Sequence, residues 1–397
     1  MLGLPAWLLV IPLLAFLIFI HELGHFVTAK WFGIKVTEFG FGFPPRILGV
    51  QRGETTYTLN LIPLGGFVKL VGEEDPTDPQ SFARQSVLKR TVVLCAGSAM
   101  NLILPLIVFT ILFAVPQDTV VGSVTITGVA PNSPAAGAGL RPGDTILSVD
   151  GRRVDNHGEL IQRIMAKLGG STDLVVRRGP LVSGLGDSVE FAAVETIVVV
   201  PRLKPPQLLV VEQVTDPRKE VSLADVRRYD TSLKLGDTLT QGAVGVMIGT
   251  MNPRIVKRSY SVWRSVPLAG RRIWDVLVIS KNGFVSWAAG GPDPGVTGPI
   301  GIAQVTGEVA QAGVWPLFEL MALISISLGV LNILPIPALD GGRLMFVLLE
   351  WVRKGKRISP KREGMVHLAG FVVMISFIVI MSYRDIARIL NGESFFR

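Results

Sequence analysis

Four stretches of this chain contain no Asp, Glu, Lys or Arg: residues 1–20, 91–117, 320–339 and 365–383, and His367 is the only histidine within them. Each is close to the ~20 residues that a helix needs to cross a hydrocarbon core ~30 Å thick. Each is therefore read as a membrane-crossing helix. The rest of the composition fits: hydrophobic residues make up 49% and charged residues 18%. The formal charge of +8 then belongs to loops and does not describe a nucleic-acid-binding face, so no nucleic acid is expected as a partner. Cys95 is the only cysteine, which excludes an intrachain disulfide and a thiolate metal cluster. The chain reads as a polytopic α-helical membrane protein with about four transmembrane helices.

The first run lacks a basic leader and passes without a small-residue cleavage site into His21-Glu22-Leu23-Gly24-His25, so it reads as a retained helix over 1–32 and not as a signal peptide. Lys and Arg set the orientation. None precedes Lys30, whereas the first loop carries Lys30, Lys35, Arg46, Arg52, Lys69, Arg84, Lys89 and Arg90. The loop before the last span carries Arg353, Lys354, Lys356, Arg357, Lys361 and Arg362. Both loops are expected on the cytoplasmic side, against the weaker contrary signal of Arg384 and Arg388. The expected divisions are a first span over 1–32, a loop over 33–88, spans over 89–116, 316–352 and 364–390, and two outer regions, 117–250 and 251–315. Within the first loop, residues 57–70 hold two short apolar strands separated by Pro63 and Gly65-Gly66, which predicts a membrane-associated β-hairpin with an unpaired edge. The alternative is a plain connector.

The outer segment has another character. Residues 124–129 alternate like a strand, and Ser133-Pro134-Ala135-Ala136 leads to Gly139-Leu140-Arg141-Pro142-Gly143-Asp144 and then to Asp150-Gly151. A helix with Leu160, Ile161, Ile164 and Leu168 on one face follows, and then a strand around Leu174-Val175-Val176. The pattern resembles a PDZ domain, an α+β module that takes peptides as an added strand beside a helix. Residues 181–239 read as an insertion, and Gly245-Val246-Met247-Ile248 as a returning edge strand. Residues 259–289 interleave Trp263, Trp274, Phe284 and Trp287 with Arg264, Arg271, Arg272 and Lys281. That mix suits a helix lying at the membrane surface; a fifth span is the alternative, and Lys281 and Asn282 interrupt it early.

The chemistry concentrates at residues 21–25. Positions four apart share a helix face, so His21 and His25 can reach one metal ion, while Glu22 can reach a water on it. A zinc hydrolase needs that arrangement, two imidazoles and a carboxylate that moves protons. The alternative is a pair of boundary histidines beside a carboxylate that reaches for water, but ionisable groups at a span are costly unless they serve a function. A third ligand is required. Residue 31 is Trp, so a third histidine six residues on is absent; Glu38 and Glu54 remain possible. A further candidate is Asp340 in Asn332-Ile333-Leu334-Pro335-Ile336-Pro337-Ala338-Leu339-Asp340-Gly341-Gly342, where two prolines break the third span. Irregular backbone at that depth requires protein or a water-filled cavity around it. The alternative role for Asp340 is a helix N-cap. Gly97 and Asn101 read as close packing and a bond between helices, Asn332 as a group near the break able to hold a carbonyl, and His367 as a satisfied polar residue.

In this order, His-Glu-Leu-Gly-His at 21–25, Pro-Leu-Gly-Gly-Phe-Val-Lys at 63–69, Gly-Ser-Ala-Met-Asn at 97–101, the PDZ-like stretch, Gly-Pro-Ile-Gly-Ile-Ala at 298–303 and the Asp340 segment resemble the site-2 protease family of intramembrane zinc metalloproteases. The likeness is greatest to its bacterial members of the regulator of sigma-E protease type. The resemblance implies that His21, His25 and Asp340 hold Zn2+, that Glu22 is the general base, and that Asn332 and the edge at Gly65, Gly66 and Phe67 contact substrate. It also implies a bacterial cytoplasmic membrane, with the site toward the cytoplasm and the PDZ-like domain outside. Implied partners are single-span membrane proteins such as anti-sigma factors, trimmed beforehand, a peptide at the PDZ groove, and the bilayer. The chain departs from some relatives in showing one PDZ-like segment and not two. Two other classes compete: a membrane-anchored PDZ adaptor without activity, which leaves the metal motif without a reason, and a zinc transporter, which would need polar groups along a whole path.

Overall fold

The structure, a computed structural model, describes residues 5–73, 75, 77–179, 193–216, 219–227 and 233–391, with the backbone alone at Leu64. Two compact units emerge: residues 1–114, 261–273 and 297–397 form one, and residues 115–260 with 274–296 the other. In chain order the first unit opens with α1 (Val10–Trp31), β1 (Val36–Arg52), β2 (Thr55–Leu70) and α2 (Val87–Ala114). The second contains β3 (Gln117–Val129), α3 (Pro134–Gly137), β4 (Thr145–Val149), β5 (Arg152–Arg153), α4 (His157–Met165), β6 (Thr172–Arg177) and β7 (Val194–Val199). It continues through β8 (Gln207–Val211), β9 (Glu220–Ser222), α5 (Leu223–Val226), β10 (Thr238–Thr240) and β11 (Val246–Arg258). Helix α6 (Val262–Ala288) contributes to both units, and α7 (Pro299–Ala312), α8 (Val314–Ile333), α9 (Asp340–Val352) and α10 (Pro360–Leu390) complete the first.

Four helices among the described residues are long and apolar enough to cross a membrane: Ala6–Trp31, Val87–Ala114, Val314–Ile333 and Pro360–Leu390. Helix α1 stops where Gly33 takes φ +72°. The Ile34 N–H then returns to the Ala29 carbonyl and the Gly33 N–H to Lys30, a closure that glycine allows without a Cβ clash. Ile34 is thereby driven into a core with Ala29, Val36, Phe82, Val93 and Val347. That core ties the end of α1 to α2 and α9. The proline-rich segment between α8 and α9 breaks the apolar run after Ile333, and Asp340 begins the next helix.

The 57–70 hairpin is corrected. Its two strand segments do not pair with each other; both flank the first part of β1, so that Gly40 stands opposite Thr58 on one side and Phe67 on the other. Strand character at residues 57–62 and 67–70 is right, but their partner is the preceding strand.

In the second unit the strands run β11-β3-β4-β6-β7 with β5 beside β4, and β10-β8-β9 make a separate small sheet. Val124, Ile126, Ile146, Leu160, Leu174, Val176, Ile197 and Val199 form its core. The Gly-Leu-Arg-Pro-Gly-Asp turn has a physical purpose. Buried Asp144 accepts from the Arg141 N–H at 2.9 Å and pairs with Arg178 at 2.8 Å, so the turn is locked to the end of β6. Residues 181–239 are not wholly an insertion, because β7 pairs along β6 and supplies Ile197 and Val199 to the core; residues 180–192 lie outside the described ones. Residues 251–315 are not one interfacial segment either. β11 runs through Arg258 at the sheet edge, α6 is a single helix that is not apolar enough to count as a span, and α7 is a separate helix.

Candidate metal centre

His21 and His25 stand on the buried face of α1, with Gly24 between them where α1 meets the backbone of α2 at Ala96. Their Nε2 atoms lie 3.2 Å apart, and Asp340 Oδ2 lies 2.9 Å from the first and 3.2 Å from the second. Ligand atoms about 2.0 Å from one ion at tetrahedral angles stand about 3.3 Å from each other. The three atoms are therefore spaced as ligands of one zinc ion would be, and a cavity lies beside His21 and Asp340. Among the described residues they form the group of His, Cys, Asp and Glu side chains able to share an ion.

Asp340 is not the N-cap of α9. Leu339 takes that position without a side-chain bond, and the Asp340 carboxylate turns to the imidazoles instead. Glu38 and Glu54 are outside the ligand group. Glu38 pairs with Arg46 and Lys69, each at 3.0 Å. Burial pushes its carboxyl up, but hydrogen bonds from Lys69, Thr58 and Arg46 outweigh this and hold it below the ordinary value.

The surroundings orient the ligands. His25 Nδ1 donates to the Val93 carbonyl at 2.8 Å, which leaves Nε2 unprotonated toward the centre. His21 Nδ1 faces the amides of Asn101 at 3.2 Å and Asn332 at 3.5 Å. Asn101 Oδ1 has no hydrogen-bond partner among the described residues. A half-turn of that amide presents Oδ1 to the Nδ1 proton that His21 carries when its Nε2 binds a metal. Asn101 is thus part of the site, which sequence reasoning missed; its place one helical turn after Gly97 was the available signal. Gly97 itself faces imidazoles: a Cβ there would meet His25 Nε2 and stand 2.6 Å from His21 Cε1.

The cavity beside the triad measures about 190 Å³ and is lined by Ile18, His21, Glu22, Asn101, Leu328, Asn332, Ala338, Leu339 and Asp340. Glu22 and Asn332 therefore share a chamber with the ligands. Gly65, Gly66 and Phe67 do not line the cavity. Gly65 and Gly66 press against Ile18 and Phe19 of α1, while Phe67 stacks near Phe43 at 6.2 Å.

A family model described as peptidase family M50 matches residues 9–377. Among curated proteins, three relatives each bear the name "Putative zinc metalloprotease". One from Brucella suis is 30% identical over 390 residues, covering 94% of this chain and 93% of its own. One from Clostridium perfringens is 31% identical, covering 95% and 98%, and one from Fusobacterium nucleatum is 28% identical, covering 97% and 99%.

Proposed function

The chain belongs to peptidase family M50 and is a zinc metalloendopeptidase, and from that premise we propose that it cleaves peptide bonds within or beside the membrane helix of single-span proteins. The observation that carries the reading is the convergence of His21, His25 and Asp340 within 2.9–3.2 Å, beside Glu22 and between helices apolar enough to span. The adaptor and transporter alternatives leave that constellation without a task.

Bound at the triad, zinc supplies Lewis-acid polarisation and lowers the pKa of water. Glu22 takes the proton from the attacking water and passes it to the leaving nitrogen as the C–N bond breaks. Asn332 holds the scissile carbonyl, and Val93 and Asn101 keep the imidazoles aimed. A substrate helix hides its carbonyls in its own hydrogen bonds, so it must open first. Residues 66–70 pair with β1 on one side only, which supports Gly65, Gly66 and Phe67 as the edge that takes the opened strand. The β-rich unit, read as a PDZ-like domain outside the membrane with β11 as its peptide edge, screens substrates by requiring prior trimming. Anti-sigma factors in a bacterial cytoplasmic membrane are the proposed substrate class, with the metal centre toward the cytoplasm.

The test is cleavage of a tagged single-span protein in liposomes by wild type and Glu22→Gln, with zinc measured on both. Retained zinc with lost cleavage supports the assignment. Equal behaviour of two zinc-free proteins overturns it.

A further inference from the structure

The chain has a third histidine near the metal centre that is not a ligand. Ala338, two residues before Asp340, takes φ +76°, left-handed backbone that a residue with a Cβ adopts only at a cost. Something must hold the turn there. Its N–H donates to Nδ1 of His367 at 2.9 Å, from helix α10. One turn along α10, Gly370 lies so close to Pro337 that a Cβ would stand 2.8 Å from the Pro337 carbonyl. Helix α9 closes on the same imidazole, with the Phe346 ring 5.5 Å from it. Because Nδ1 accepts, the ring proton is on Nε2, which faces the Glu363 carboxylate at 3.8 Å.

We propose that His367 is a positioning residue for the metal centre: as an acceptor it holds the Ala338 turn in its left-handed form, and the turn fixes where the Asp340 carboxylate points. Helix α10 supplies no ligand to the group, yet it sets the geometry of one. This rests on the reading of His21, His25 and Asp340 as zinc ligands. The sequence presents His367 only as a polar residue in an apolar run; its role depends on the strain at Ala338, which sequence does not display.

The experiment compares two polar replacements in the full chain in detergent. In His367→Asn, Oδ1 is as many bonds from Cα as Nδ1 was, so the acceptor is kept. In His367→Gln it is displaced by one bond. Zinc affinity is measured by competition with a chromophoric chelator, and the cobalt-substituted proteins are compared by visible spectrum. The expected result is near-wild-type affinity for H367N and about tenfold weaker binding for H367Q, the scale on which outer partners of ligands act, with the cobalt spectrum changed in H367Q alone. A folded H367Q that binds zinc like wild type overturns the inference, as does equal loss in both variants, since packing and not the acceptor would then matter. If wild type takes up no zinc, the ligand reading fails and the inference falls with it; zinc-replete variants matching wild type sink the inference alone.

Discussion

Gly97 of α2 faces His25 Nε2 with no room for a methyl group between them. A helix–helix contact would tolerate some sliding, but here the neighbours are the two imidazoles of the proposed metal centre. Gly97→Ala improves helix propensity by roughly 0.8–1 kcal/mol while pushing both rings out of position. The expected outcome is a protein of unchanged helical content with zinc binding weakened at least about 100-fold, at or beyond the upper end for changes that act on ligands indirectly. Circular dichroism and metal analysis on one sample check both halves.

Glu22 shares the cavity with the ligands but lies outside their group. Glu22→Gln is expected to keep stoichiometric zinc and to cut cleavage by about 10²–10⁴-fold, the usual range for a general base. Asp340→Asn should instead lose the metal itself, because a neutral amide replaces the anionic donor. Zinc retained by Asp340→Asn at wild-type affinity would remove Asp340 from the ligand set.

Arg90 and Glu350 form a buried pair at 2.8 Å, and Arg357 reaches the same carboxylate at 3.2 Å. Glu350→Ala strands the Arg90 charge among apolar groups, which costs about 3–5 kcal/mol. Arg357→Ala leaves the inner pair intact and should cost about 1 kcal/mol or less, as for exposed pairs. Denaturant unfolding in detergent ranks the two; equal losses would contradict the buried geometry.

In the β-rich unit, Asp155 bonds Arg258 at 2.7 Å and Arg153 at 2.8 Å. Burial pushes its carboxyl up, but the Arg258 hydrogen bond and charge and the nearby Arg153 outweigh it, so the folded-state pKa lies below the ordinary one. The stability that results is full above the unfolded value of about 3.9 and is lost as pH falls through the folded value. Wild type should therefore exceed Asp155→Asn by about 0.5–1 kcal/mol at pH 6. The gap should narrow steadily below about pH 4. A gap that does not change with pH would show that the carboxylate contributes through shape alone.

The grouping of His21, His25 and Asp340 was legible because a helix forces positions 21 and 25 onto one face, and because two prolines mark where the third apolar run must stop. The four spans were legible because backbone in hydrocarbon leaves few choices. Other features depended on partners that a linear pattern does not name. A glycine such as Gly97 announces close approach without saying to what. Segments 57–62 and 67–70 look like hairpin arms, yet both pair with residues 36–43, a shared partner that nothing in their own pattern names. Val194–Val199 follows a stretch without clear pattern, so its place beside β6 appears only in the pairing itself.

His21 and Asp340 are separated by 319 positions along the chain, and this has a bearing on biogenesis. A nascent polypeptide that has delivered its first two helices to the bilayer holds both histidines and Glu22, but not Asp340, and so not the whole candidate centre. Competence arrives only when the ribosome has released residues well past the third helix and the prolines have turned the chain back. A truncated translation product would thus carry the motif at 21–25 and remain harmless to the membrane proteins around it.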